Sequence, residues 1–104
     1  MVASSHQVRK IINEFIHTLE SDIKVERVIL YGSYAHRNAR EWSDIDLAIL
    51  SFDFSRMSEI KKTDFLARKL VRCDSRLMPI AYTPDYFDNA PPYLFASEIR
   101  RTGK

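Results

Sequence analysis

The sequence has a single cysteine, two glycines and no long apolar run. Cys73 therefore cannot form a disulfide within the chain, and one cysteine with three histidines is too few for a closed zinc site. No apolar stretch reaches the roughly eighteen residues that a transmembrane helix needs, and the N-terminal segment lacks the apolar centre of a secretory signal. We expect a cytoplasmic protein with no membrane partner.

Neither positive nor negative charge predominates, because 16 basic and 14 acidic residues leave a net charge of only +2. A hydrophobic content of 45% with 29% charged residues is typical of one globular domain, which we assign to residues 1–104. Direct nucleic-acid binding would depend on the basic residues of a helix at 59–72 and on those near the C-terminus. Without an aromatic and basic platform, we do not expect nucleic acid as a partner.

Apolar periodicity predicts the order helix, strand, helix, strand, helix, strand, helix. The strands are predicted at 25–31, 43–51 and 76–82, and the helices at 5–20, 34–37, 59–72, from 84 for a short distance, and at 93–102. Pro79 indicates an edge strand, Thr83 and Pro84 a helix start, and Gly103 a helix end. The predicted fold class is α/β (α+β), a small mixed sheet flanked by helices. The helix at 59–72 is expected to turn these side chains inward: Ile60, Phe65, Leu66, Leu70 and Val71.

The most informative segment covers residues 31–50, YGSYAHRNAREWSDIDLAIL. Gly32 and Ser33 directly follow one apolar strand, and Asp44 and Asp46 begin the next. Side chains two residues apart in a strand project from one face, so the two carboxylates lie together and repel each other unless a cation binds them. Hard divalent cations bind carboxylate oxygens, and a Gly-Ser turn at a helix N-terminus offers N–H groups and a hydroxyl to phosphate. The segment predicts nucleotide chemistry.

Ten residues separate Ser33 from Asp44, and the resulting pattern of Gly-Ser, ten residues and Asp-x-Asp resembles the signature of the nucleotidyltransferase superfamily that includes DNA polymerase beta. The flanking runs GSYA and SDIDLAI are similar to those of the small minimal nucleotidyltransferases. Further similarity lies in the runs RLMP, TPDYF and EIRRTG. Apart from the first helix, the resemblance covers nearly the whole chain.

The resemblance implies a metal-dependent transfer of NMP, most often AMP from ATP, to a hydroxyl group, with release of pyrophosphate. Gly32 would let the backbone approach the triphosphate, and Ser33 would bind a phosphate oxygen. Asp44 and Asp46 would be the catalytic residues and would hold one or two Mg²⁺ or Mn²⁺ ions. The same resemblance suggests that His36 and Arg37 contact the leaving phosphates.

Two positions depart from the family pattern. Active members carry a third carboxylate on the next strand, in an Arg-Ile-Glu-Pro run, where this chain has Arg76-Leu77-Met78-Pro79. A thioether neither binds Mg²⁺ nor accepts a proton usefully. Asp74 could share the face of Met78 in a regular strand, but it would lie roughly 13 Å away along it. Arg37 stands where the family often has glycine.

Two functions remain open. The chain is either a nucleotidyltransferase, with a nucleoside triphosphate as substrate, or a catalytically weakened interaction module. For both, the resemblance implies a HEPN-domain partner, as in toxin–antitoxin pairs, and a homo-oligomer is a further alternative.

Overall fold

The structure is a computed structural model, and it describes residues 4–35, 39 and 43–104. Helix α1 spans Ser5–Leu19 and begins with a capping box. The Oγ atom of Ser4 accepts a hydrogen bond from the Gln7 N–H at 3.1 Å, and the Oε1 atom of Gln7 accepts one from the Ser4 N–H at 2.7 Å. The first predicted helix is confirmed.

Three strands form a mixed sheet in the order β1-β2-β3 within the described residues. Strand β1 spans Arg27–Tyr31, β2 spans Ile45–Leu50 and β3 spans Leu77–Tyr82. Strands β1 and β2 are antiparallel, whereas β2 and β3 are parallel, so the chain must cross over between them. A 3₁₀ turn at Phe52–Arg56 and helix α2 at Glu59–Leu70 make that crossover. The predicted fold class is confirmed.

The central strand β2 is covered on both faces over residues 47–50, which are all apolar and buried. Ile45, Leu47 and Ile49 pack into one core cluster with α1 and α2. Ala48 and Leu50 pack into a second cluster with helix α3 at Pro84–Asn89 and helix α4 at Phe95–Thr102. Asp46 is the one position of β2 that is not fully buried, which marks where the cover over the second face ends.

Strand β3 lies at an edge of the sheet, as Pro79 predicts. The carbonyl oxygen of Arg76 accepts a hydrogen bond from the Ile45 N–H at 2.8 Å, and that of Tyr82 accepts one from the Ser51 N–H at 3.1 Å. Because alternate residues of a strand turn their backbone groups to the same side, Pro79 turns its nitrogen toward the open edge. No ladder hydrogen bond is lost there.

The C-terminal segment is fastened to β1. Thr83 caps α3 by accepting a hydrogen bond from the Tyr86 N–H at 3.3 Å, and the Gly103 N–H closes α4 on the Ile99 carbonyl at 2.7 Å. Both predicted helix signals are therefore confirmed. Lys104 then exchanges two backbone hydrogen bonds with Leu30, at 3.0 and 2.8 Å.

Across the described ranges, no helix is both long and apolar enough to span a lipid bilayer.

The prediction for α2 is wrong in two respects. The helix ends at Leu70, and the side chains of Ile60 and Val71 are 84% and 78% exposed instead of facing inward. Each helical residue turns the chain by about 100°, so Ile60 lies about 140° around the helix from the inward-facing Phe65. Val71 follows the last helical residue. Helix α4 likewise begins at Phe95 and not at residue 93, because two prolines precede it.

Candidate functional site

The candidate site lies across one end of the sheet. Strand register pairs Asp46 with Tyr31 on β1 and with Met78 on β3. These three residues therefore form a row on the face of the sheet that α3 and α4 cover farther along. Asp44 precedes β2 by one residue and is exposed. The structure thus places both predicted carboxylates at the open end of the second face.

Gly32 follows Tyr31 directly and has a φ angle of +73°, in the left-handed region that favours glycine. A Cβ atom built on Gly32 would overlap the Oδ2 atom of Asp46 and would lie 3.3 Å from its carboxyl carbon. Glycine is therefore needed here for two reasons, the backbone conformation and the close approach of the turn to Asp46. The turn and the carboxylate form one compact unit.

Ser33 follows in a hydrogen-bonded turn, in which the Ala35 N–H donates to the Gly32 carbonyl at 3.1 Å. Tyr34 and Ala35 lie in a turn, and the rest of the helix predicted at 34–37 lies outside the described residues. Ser33 is half-buried and directly follows Gly32, the residue that approaches Asp46. His36 and Arg37, predicted to contact phosphate, lie outside the described residues.

The two carboxylates influence each other. Burial raises the pKa of Asp46 above its usual value, and the nearby Asp44 carboxylate raises it further. A carboxyl with a raised pKa disfavours its own charge, and a bound cation relieves that cost. The pair is therefore a chemically suitable place for a divalent ion, and the absence of a side chain at Gly32 leaves room for the Asp46 carboxylate.

Two carboxylates alone make a sparse metal site. Over residues 4–35, 39 and 43–104, no three His, Cys, Asp or Glu side chains cluster closely enough to hold a metal ion. Mg²⁺ commonly binds through one or two carboxylates together with water and substrate phosphates. The described residues fit that mode of binding.

Tyr31 is a site residue that sequence reasoning missed, although its position just before Gly32 was a usable signal. Its ring packs edge-to-face on Phe95 with centroids 5.7 Å apart. Burial, followed by the Asp46 carboxylate and then Tyr82, raises the pKa of Tyr31 to about 12. Tyr31 is therefore a neutral phenol at physiological pH.

Met78 flanks Asp46 on the other side and is 51% exposed. It also borders a groove of about 250 Å³ between α2 and the open edge of β3, which we call the edge groove. Apolar side chains, among them Leu66 and Leu77, line this groove together with the charged Glu59 and Lys62. The row of residues across the sheet thus ends, on its β3 side, at a groove of mixed apolar and charged lining.

Asp74 does not replace a carboxylate at position 78. It lies before β3 and accepts two hydrogen bonds from the Arg76 side chain, at 3.0 and 2.9 Å, and one from the Arg76 N–H at 2.9 Å. These bonds hold the pKa of Asp74 below its usual value. Because β3 begins at Leu77, the regular strand that would put Asp74 on the face of Met78 does not extend that far.

Comparison with known proteins identifies the family of this chain. The family model for polymerase beta nucleotidyltransferases matches residues 13–90. A predicted protein adenylyltransferase of Methanocaldococcus jannaschii is 38% identical over 80 residues, which are 73% of this chain and 80% of that protein. A predicted nucleotidyltransferase from Sulfolobus solfataricus, known from its crystal structure, shares the fold with a TM-score of 0.64 at 20% identity, over 76% of this chain and 69% of that one. The resemblance found in the motif is confirmed, and the chain belongs to the polymerase beta family of nucleotidyltransferases.

Proposed function

We propose that this protein transfers AMP from ATP to a hydroxyl group on a protein, with Mg²⁺ or Mn²⁺ held by Asp44 and Asp46. The single observation that carries the proposal is the close approach of the Gly32 turn to the Asp46 carboxylate. A turn that would bind phosphate and carboxylates that would hold a divalent ion need to be adjacent, because the ion would neutralise the charge of the bound phosphates. The relative from Methanocaldococcus jannaschii supports a protein acceptor and an adenylyl group.

The chain's residues would act mainly by holding the reactants in place. The Ser33 hydroxyl and the N–H groups of its turn would bind the triphosphate. A bound divalent ion supplies charge neutralisation and a more acidic acceptor hydroxyl. The acceptor oxygen forms a bond to the α-phosphorus, the bond from that phosphorus to the bridging oxygen breaks, pyrophosphate leaves, and the hydroxyl proton passes to solvent.

The first test is thermal unfolding with and without Mg²⁺-ATP. Ligand at a hundred times its dissociation constant adds about 2.7 kcal/mol to the free energy of unfolding, which corresponds to a Tm rise on the order of ten degrees for a domain of this size. The double substitution Asp44→Asn with Asp46→Asn should remove the rise. Asp64→Asn is the matched control, because Asp64 is an exposed carboxylate on α2 that pairs with Arg68.

A metal-dependent rise in the native protein and in Asp64→Asn, lost in the double variant, supports the assigned site. An equal rise in all three proteins would place the nucleotide elsewhere, and no rise in any of them would contradict nucleotide binding by this chain alone. Transfer itself is then measured with ATP labelled at the α-phosphorus and candidate acceptor proteins.

The alternative function is an interaction module with weakened catalysis, and the position of Met78 favours it. Met78 takes the place beside Asp46 where a carboxylate would complete the site, and its side chain is half exposed. As an interaction module, the chain would act by binding a HEPN-domain protein and not by transferring a nucleotide. Co-expression with a HEPN protein encoded next to this chain distinguishes the two, since a stable complex that forms equally well with the Asp44→Asn and Asp46→Asn double variant needs no catalysis.

A further inference from the structure

We infer that the exposed ring of Phe95 stacks on the base of the nucleoside triphosphate, so that the site favours purine over pyrimidine nucleotides. The inference deepens the proposed function, on which it rests, by naming the residue that would hold the nucleoside. It begins from two rings near the open end of the second face of the sheet. Tyr31 and Phe95 have ring centroids 5.7 Å apart and planes that meet at 78°.

The ring of Phe95 is not used by the core of the protein. Phe95 is 53% exposed, whereas Ala96 and Ile99 of the same helix are buried in the second core cluster. Phe95 itself lies outside that cluster. A planar ligand that covers this apolar ring removes its surface from water, which favours binding.

Tyr31 connects the ring of Phe95 to the carboxylates. Strand register pairs Tyr31 with Asp46, and the Asp46 carboxylate is close enough to the Tyr31 phenol to contribute to its raised pKa. Because Phe95 packs edge-to-face on Tyr31, no more than one aromatic ring separates Phe95 from the carboxylate that would hold the ion. In a nucleotide, one ribose separates the base from the α-phosphorus. A base on Phe95 and an α-phosphorus at Asp46 therefore fit within one molecule.

The direction of the proposed transfer leaves this side of Asp46 to the nucleoside. The triphosphate would lie on the Gly32–Ser33 turn, and an in-line displacement needs the acceptor hydroxyl opposite the leaving pyrophosphate. The nucleoside is the remaining substituent of the α-phosphorus. Asp46 shares the second face with Ala48, so the nucleoside would lie over that face. Phe95 begins the helix that covers the same face farther along, and its ring therefore stands at the border of the open end.

Stacking also determines which bases the site would accept. Every base has an aromatic face, so a stacked base binds without hydrogen bonds to one particular base edge, and preferences follow the strength of the stack. The two fused rings of a purine cover more of the Phe95 ring than the single ring of a pyrimidine does. We therefore expect ATP and GTP to bind with similar affinity, and both to bind more tightly than UTP and CTP.

The first experiment compares Mg²⁺-ATP with Mg²⁺-tripolyphosphate, which has no base, by isothermal titration calorimetry. Phe95→Ala should weaken ATP binding about tenfold and keep the tripolyphosphate affinity within about twofold, because only the stack is lost. Phe95→Tyr restores the ring and should keep the ATP affinity. Phe52→Ala is the matched control, because Phe52 is also 51% exposed but lies beyond the end of β2 that is opposite Asp46. Mn²⁺ affinity, measured by electron paramagnetic resonance of the free ion, should not change in any of these variants.

The second experiment observes the stack itself by nuclear magnetic resonance. The ring-proton resonances of adenine in Mg²⁺-ATP should move upfield on binding, because the ring current of an aromatic side chain shields protons that lie over its face. The shift should persist in Phe95→Tyr and shrink in Phe95→Leu, which keeps an apolar side chain but has no ring. This comparison also decides the question if Phe95→Ala does not fold.

The contrary results separate the inference from the proposed function. If Phe95→Ala binds ATP as tightly as the native protein, or loses affinity for ATP and tripolyphosphate equally, the base does not stack on Phe95, and the proposed function stands. UTP and CTP binding as tightly as ATP would likewise overturn the inference. So would a loss of ATP affinity in Trp42→Ala alone, at a residue outside the described ranges. If the native protein binds neither Mg²⁺-ATP nor Mg²⁺-tripolyphosphate, the proposed function fails and the inference fails with it.

Discussion

Replacing Gly32 by alanine should damage both the fold and the metal site, for separable reasons. At a φ angle of +73°, an alanine side chain costs about 1–2 kcal/mol in the left-handed region. For a domain of this size, that cost lowers Tm by roughly 4–8 °C per kcal/mol. The new Cβ atom also overlaps the Oδ2 atom of Asp46, so the carboxylate must turn away. Mn²⁺ affinity should fall on the order of tenfold or more, because one of two ligands is displaced.

Gly32→Asn separates the two effects. Asparagine adopts the left-handed region more readily than alanine, but its Cβ atom meets Asp46 in the same way. We expect a smaller loss of Tm than for Gly32→Ala and an equal loss of Mn²⁺ affinity. Gly103→Ala is the matched control, since its Cβ atom would lie 2.5 Å from the Ile29 side chain and 2.7 Å from the Ile99 carbonyl, away from the carboxylates. That variant should unfold at a lower temperature and keep the Mn²⁺ affinity of the native protein.

A double-mutant cycle of unfolding free energies tests whether residue 32 and Asp46 compete for the same space. In a protein that already carries Asp46→Ala, the new Cβ atom at position 32 has no carboxylate to overlap, so Gly32→Ala should cost only the strain of the left-handed backbone. The coupling energy between the two substitutions should exceed about 0.5 kcal/mol. A coupling energy of zero would mean that residue 32 and Asp46 do not compete for the same space. Equal losses of Mn²⁺ affinity in Gly32→Ala and Gly103→Ala would show that the loss follows general destabilisation and not the displaced carboxylate.

Two further predictions concern charge and packing. Burial and Asp44 raise the pKa of Asp46 in the folded protein, so ionised Asp46 opposes folding above that pKa and has no such effect below its unfolded value of about 3.9. Asp46→Asn should therefore raise Tm in EDTA at about pH 7, by an amount that shrinks as the pH falls toward 4; a difference independent of pH would contradict this. Arg100 and Arg101 are both exposed, but the Arg100 side chain donates hydrogen bonds to the carbonyls of Phe87 at 2.7 Å and Ala90 at 3.2 Å. Arg100→Ala should therefore lower the free energy of unfolding by about 1–2 kcal/mol, whereas Arg101→Ala should change Tm little. Neither substitution should change Mn²⁺ affinity.

Local sequence rules predicted the parts of the site that depend on local structure. The prediction that Asp44 and Asp46 share a face used the period of a strand, but β2 begins at Ile45, so Asp44 lies just before the strand. The glycine at position 32 was predicted to lie in a turn after a strand, and it does. Pro79 predicted an edge because a proline nitrogen cannot donate to a neighbouring strand. In each case the rule involves residues that are close in sequence, so a single chain carries enough information.

The parts that were missed depend on contacts between distant residues. Tyr31 stands beside Asp46 because of the register of two strands, and its contact with Phe95 joins β1 to the first residue of α4. No sequence pattern within β1, β2 or α4 indicates that Tyr31 contacts Asp46 or Phe95. The error at Ile60 has a related cause. Ile60 was assigned to the core because it is apolar, although its position around the helix axis is about 140° from that of the inward-facing Phe65.

The structure also explains how the chemistry at Met78 can vary without loss of the fold. Backbone hydrogen bonds fix both flanks of Asp46: the Arg76 carbonyl holds the start of β3 against Ile45, and Lys104 holds β1 through Leu30. The Met78 side chain is half exposed and lies outside both core clusters, so its identity contributes little to packing. The side chain at position 78 can therefore change without loss of the packing and backbone hydrogen bonds that hold the sheet together.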